Sequence, residues 1–133
     1  KPAYLAPAML HIALHFLVPL VVAAVFFRRR WQYASVVMIV TMLVDIDHVL
    51  ASPMYDPGRC SIGFHPLHQP WWVGVYVLLC VFPASRLVGL GLCIHMFLDA
   101  FDCQLTSGVW VNPVSNTLAG FVVQGGLSSL SSV

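Results

Sequence analysis

The sequence predicts an all-α fold, a polytopic membrane helix bundle with about four transmembrane helices, on three observations: its composition, its recurring apolar runs, and the spacing of the ionisable residues inside them. Of 133 residues, 59% are hydrophobic and only 8% charged, with a mean hydropathy of +0.87. A soluble domain carries roughly 25% charged residues. Apolar runs recur as far as residue 101, so a signal peptide on a soluble body does not account for them. The length suits one domain. The charges are one Lys, five Arg and five Asp with no Glu, a net +1. With neither an acidic tail nor a basic surface, the chain reads as a partner of the lipid bilayer and not of nucleic acid.

The first run, residues 5–27, is broken only by His11, His15 and two prolines and ends at Arg28, Arg29 and Arg30; it is long enough to span. The second, residues 31–50, carries Asp45, Asp47 and His48 in its last turns, and the short link makes the two an antiparallel hairpin. Residues 51–70 change to Pro, Gly, Asp, Arg, Cys and His, which is loop chemistry. Residues 71–82 open with the interfacial pair Trp71 and Trp72, but twelve helical residues reach only about 18 Å, so this run spans only if it starts earlier or the bilayer thins. After a tight link at 83–86, residues 87–101 form the fourth apolar helix, bearing His95 and Asp99, with Asp102 just beyond. Residues 1–103 thus form the transmembrane domain. Residues 104–133, without a charged side chain, are expected to be an interfacial or weakly ordered segment.

Arg28, Arg29, Arg30 and Arg86 fall on one side, Lys1 and Arg59 on the other. Because Lys and Arg mark the cytoplasmic face, the N-terminus and the 51–70 loop are expected outside, on the periplasmic side of a bacterial inner membrane. Measured up from the inner ends at about 1.5 Å per residue, His15 and His11 lie at about 18 and 24 Å, and Asp45 and His48 at about 21 and 26 Å. On the fourth helix His95, Asp99 and Asp102 lie at about 12, 18 and 22 Å. Three helices of alternating direction therefore bring their polar residues to the outer half. Facing agrees, since i, i+3 and i+4 share a helix face: His11 with His15, Asp45 with His48, His95 with Asp99. Asp47 leaves the Asp45 face if the helix stays regular, so it acts where the helix loosens or supports a ligand from behind. His65 and His68 lie in the loop that can fold back over the same level.

Ionisable groups in hydrocarbon are expensive unless paired or facing a polar cavity, and so point to function. Imidazole and carboxylate together suit zinc, manganese or iron. So many donors fit two metals better than one, the remainder orienting ligands or serving as general base. Cys60 and Cys103 lie on the outer side and can pair, Cys80 and Cys93 lie inside spans, and no CxxC spacing supports a thiolate site.

The strings LHIALH (residues 10–15), LVDIDH (43–48), FHPLH (64–68) and HMFLD (95–99) resemble a family of small bacterial membrane proteins of unknown function. That family in turn is similar to the membrane-bound, LexA-regulated type of metal-dependent hydrolase and, more distantly, to zinc-dependent phospholipase C and single-strand nucleases. The resemblance covers roughly residues 10–103. It implies metal ligation by His11 or His15, Asp45, Asp47, His48, His65, His68, His95 and Asp99. The related hydrolases carry His-Arg-Gly-x-x-His in the loop. Here His65-Pro66-Leu67-His68 lacks that Arg, leaving Arg59 as the candidate phosphate partner.

The resulting expectation is a hydrolase holding two divalent metals, zinc first, that cleaves a lipid or lipid-linked phosphoester, with Asp47 or Asp102 as general base. Two readings of other classes stand beside it: a divalent-metal binding or transport protein, and an accessory subunit ligating haem or chlorophyll through His. Self-association and membership of a membrane complex stay open.

Overall fold

The computed structural model describes residues 5–52 and 59–112. The expectations for Lys1 and for the segment from 113 to the end lie outside the described residues. Among the described residues there are four α-helices: α1 (Leu5–Phe26), α2 (Trp31–Val40), α3 (Pro70–Val81) and α4 (Arg86–Ser107). Three stretches are long and apolar enough to cross a membrane: Ala6–Phe26, Arg28–Leu50 and Arg86–Ser107, of 21, 23 and 22 residues. The 12-residue α3 stays short, because the chain before it is extended at Gln69 and Pro70 takes the first helical position, where its missing N–H is harmless.

Side chains are distributed inside out. Leu20, Leu43, Ile46, Phe97 and Leu105 are exposed, whereas His15, His68, His95, Asp47 and Asp99 are buried. In water this arrangement would be unfavourable at both faces; in a bilayer, where lipid tails solvate the apolar surface, it is the expected one. Two packed regions hold the helices. Ala23, Ala34 and Met38 are fully or almost fully buried among Val22, Phe27, Leu87 and Ile94, and two facing alanines allow the close approach that membrane helices use in place of a hydrophobic drive. Cys60, Ile62, Tyr76, Met96 and Cys103 form the other, tying the loop to α3 and α4.

The second span departs from the expected regular helix. After Val40 it tightens into a 3-10 helix over Thr41–Leu50. At three residues per turn, side chains three apart eclipse and the segment acquires three faces. Thr41, Val44 and Asp47 are buried, Met42, Asp45 and His48 are half-buried, and Leu43, Ile46 and Val49 are exposed. The helix therefore tightens where loosening was the expectation, and Asp47 turns to the protein interior while an unbroken apolar stripe is left outside.

Helix α4 runs six residues past the expected end at 101, so the expected division at 103 falls inside a helix. It stops where Gly108 takes a left-handed φ of 69°, its N–H donating to the Gln104 carbonyl at 3.1 Å, as helix C-termini commonly do. Beyond it Val109 and Val111 pack on the loop core, and Asn112 N–H donates to the Ile62 carbonyl at 2.8 Å. Cys60 and Cys103 form a disulfide with Cα atoms 5.0 Å apart.

Candidate metal centre

Every His and Asp named from the sequence as a ligand or general base falls in one connected cluster. Helix α1 supplies His11 and His15, the 3-10 helix Asp45, Asp47 and His48, the loop His65 and His68, and α4 His95, Asp99 and Asp102. Among the described residues three groups offer ligand atoms close enough to share a cation: Asp45, His68, His95 and Asp99; His11, His15 and Asp99; and Asp47, His48 and His65. Asp99 belongs to the first two.

In the first group His68 Nε2 and His95 Nε2 lie 3.1 Å apart. Asp45 Oδ1 is 3.1 Å from His95 Nε2 and 3.2 Å from His68 Nε2, and Asp99 Oδ2 is 3.2 and 3.4 Å from the same two nitrogens. A tetrahedral zinc with bonds of about 2.0–2.1 Å places its ligand atoms about 3.3–3.4 Å from each other. The donors are thus set at nearly the right separations. In the second group Asp99 Oδ1 lies 3.1 Å from His11 Nε2 and 3.2 Å from His15 Nε2. Asp99, 5% exposed, turns one oxygen to each histidine pair.

The contact to His15 lacks hydrogen-bond alignment, so among the described residues its buried Nε2 has no hydrogen-bond partner. His15 Nδ1 meanwhile lies 2.9 Å from the His11 carbonyl, so Nδ1 donates to the backbone and Nε2 is the ring atom turned to the site. A histidine held in this way by its other nitrogen is oriented as metal-ligating histidines are.

Asp47, 3% exposed, stands behind the first group. Its Oδ2 accepts from Leu67 N–H at 2.8 Å and lies 3.0 Å from His68 Nδ1, so it holds the His68 ring with Nε2 facing the other donors. Its Oδ1 lies 3.2 Å from His48 Nδ1, and the His48 and His65 rings stack at 3.8 Å between centroids. Asp102, 41% exposed, lies 3.8 Å from His11 Nδ1. Among the described residues His95 Nδ1 has no hydrogen-bond partner.

Counting from the helix ends put Asp45 and His95 about 9 Å apart in height, yet they touch. The short α3 accounts for this. It descends only about 18 Å from the loop, so the turn into α4 sits higher than the arginine turn below α2.

The loop is held by groups the sequence reading did not single out. Trp72 Nε1 donates to the Pro66 carbonyl at 3.0 Å, Tyr76 OH to the Leu67 carbonyl at 2.9 Å, and Gln69 Nε2 to the His65 carbonyl at 3.2 Å. Trp72 and Tyr76 are i, i+4 neighbours whose polar tips need partners, a spacing that hints at such a role. Ser61 Oγ lies 3.5 Å from His48 Nε2, and nothing in its sequence context marks it.

The loop histidines differ electrostatically. Burial, and then the neighbouring His48, push His65 down to about 4. For His68 burial acts downward, but the Asp45, Asp99 and Asp47 carboxylates outweigh it and raise the group to about 10. Without a metal, the cluster holds protons to balance its carboxylates, and a cation would replace them.

The chain belongs to the family of unknown function DUF6122, whose profile matches residues 5–106. The matched stretch includes all three ligand groups. No curated protein and no solved structure gives a significant match.

Proposed function

We propose that this protein is a membrane-embedded, metal-dependent hydrolase that cleaves a phosphoester of a lipid or lipid-linked substrate at a centre of two divalent cations, zinc being the first choice and manganese or iron compatible. The observation that carries this reading is Asp99, a buried carboxylate with one oxygen turned to His11 and His15 and the other to His68 and His95. A carboxylate shared by two donor groups suits a pair of cations. Bound there, the cations would supply Lewis acidity for phosphoester hydrolysis.

The residues divide by role. Asp45, His68, His95 and Asp99 would hold one cation, and His11 and His15 with Asp99 the other. Asp47 is committed to His68 and Leu67, which leaves Asp102, half-exposed beside His11, as the general base. The outer-end group of Asp47, His48 and His65 orients the loop against the site. Arg59, whose guanidinium lies 4.6 Å from the Phe64 ring centre, is the candidate to face a substrate phosphate. The reaction class rests on analogy, through the distant resemblance of the family to the LexA-regulated hydrolases.

The orientation follows the arginines: the site and N-terminus face the periplasm of a bacterial inner membrane, with Arg28–Arg30 in the cytoplasm. The Cys60–Cys103 disulfide favours an oxidising compartment for that end. A transport pathway would need polar groups through both halves of the spans. The inner halves of the first and second spans, next to Arg28–Arg30, carry no His or Asp, which favours a one-sided centre.

The test is hydrolysis of a chromogenic phosphodiester and of a headgroup-labelled phospholipid by zinc-loaded protein in detergent. Turnover that is abolished by chelator and by Asp99→Asn is the expected result. Metal-loaded protein that cleaves neither substrate but carries zinc into vesicles would overturn the hydrolase in favour of transport.

A further inference from the structure

We propose that the open groove between α2 and α4 is a binding site for one alkyl chain of a bilayer phospholipid whose phosphate reaches the candidate metal centre. The groove encloses about 380 Å³ and is lined by Val36, Val40, Thr41, Val44, Val88 and Leu92 among others. Its origin is local. Gly91 presents no side chain, so the two helices press together at Met38 and Thr41, while the valines to one side are too short to close the gap.

Its lining offers nothing to water. Thr41 contributes the polar atom, and its hydroxyl is already donated to the Met38 carbonyl. An apolar cavity of this kind stays dry or takes an apolar guest. The walls belong to two of the stretches long enough to cross a membrane, and Val36 and Val40 are exposed, so the groove opens sideways where lipid tails lie.

Its position relative to the site selects the guest. At the upper end Val44 directly precedes Asp45, and Leu92 stands three residues, about 5 Å, before His95. From Val36 to Val44 the groove follows the helix for about 14 Å, towards the end that carries the arginines. A lipid with one chain in this groove therefore has its headgroup directed to the level of the His and Asp donors. That the lipid is a substrate rests on the hydrolase reading above; that a chain occupies the groove does not.

The experiment uses the full chain reconstituted in phosphatidylglycerol vesicles containing a phospholipid with a mid-chain diazirine, photolysed and mapped by mass spectrometry. Adducts concentrated on Val36, Val40 and Val88, and removed by Val40→Trp or Val88→Phe while those at the exposed α1 residues Leu17 and Val21 persist, are expected. Adducts spread evenly over exposed residues of α1 and α2, and insensitive to both substitutions, would overturn the groove. Kinetically, Val40→Trp raises KM for a long-chain phospholipid about tenfold, the equivalent of two methylenes left unburied. Its metal content and its rate on a short-chain phosphodiester stay unchanged. Groove-specific adducts in a protein that hydrolyses nothing would keep the chain site and refute the hydrolase.

Discussion

Replacing Gly91 by alanine tests whether the ligand geometry depends on the closeness of α2 and α4. A Cβ at this position would meet Thr41 Oγ1 at 2.6 Å, Thr41 Cγ2 at 2.8 Å and the Met38 Cα at 2.9 Å. Thr41 cannot swing aside cheaply, because its χ1 is restricted and its hydroxyl is bonded to the Met38 carbonyl. The Met38 Cα is backbone, so the helices themselves must separate, by about 0.5 Å to reach ordinary van der Waals contact. Overpacking of this kind costs about 1–3 kcal/mol. One turn further up, His95 Nε2 and Asp45 Oδ1 stand 3.1 Å apart on the two elements being pushed away from each other. Metal sites tolerate displacements of only about 0.2 Å in ligand distance, so Gly91→Ala lowers zinc affinity about tenfold or more although no ligand is altered. Gly74→Ala, with nothing within 4 Å of the new Cβ, is the matched control. Isothermal titration of zinc into chelator-treated protein, beside thermal unfolding in detergent, reads both effects. A Gly91→Ala protein indistinguishable from Gly74→Ala in affinity and unfolding temperature would refute the argument.

Asp47→Asn keeps the volume but removes the charge that holds His68, and lowers metal affinity about 10–100-fold, measured by competition with a zinc chelator. Replacing Cys60 and Cys103 by serine opens a loop of sequence separation 43 and removes about 4 kcal/mol on the chain-entropy estimate, seen as a lower unfolding temperature that reducing agent reproduces in the wild type. The metal-free protein loses stability as the pH rises. His68 is raised from 6.5 to about 10 in the fold, so its contribution is complete below about 6.5 and lost as the pH passes through about 10, which unfolding temperatures in chelator across that range will follow. At pH 7 the same group makes zinc binding release protons, detected as a dependence of the titration heat on buffer ionisation enthalpy.

Much of the site is legible in the sequence because depth and facing in a bilayer helix follow from residue counting. His11 with His15 and His95 with Asp99 keep the helical spacing that puts them on common faces, and both pairs meet in the structure. Asp47 is harder, since a β-branched apolar run reads as a regular α-helix as readily as a 3-10 one. The clue is the spacing of Leu43, Ile46 and Val49 around Asp45 and His48, which repeats every three residues and not every 3.6. Heights misled by about 9 Å for His95, because counting treats all inner helix ends as level and the short α3 lifts the start of α4. The sharing of Asp99 between two histidine pairs is invisible in one dimension. Sequence spacing assigns a residue to a face, whereas the direction of each carboxylate oxygen depends on α1, α4 and the loop packing together.

The central claim is that the His and Asp cluster binds metal, and metal content tests it most directly. The protein is purified in detergent without chelator, incubated with zinc, freed of excess, and analysed by elemental mass spectrometry beside His95→Ala, Asp45→Ala and Asp99→Asn. About two equivalents in the wild type, one lost in His95→Ala and Asp45→Ala and both lost in Asp99→Asn, is the predicted result. A well-folded wild-type protein that retains no metal would contradict the account and return these histidines and aspartates to proton-sharing pairs that pack the bundle.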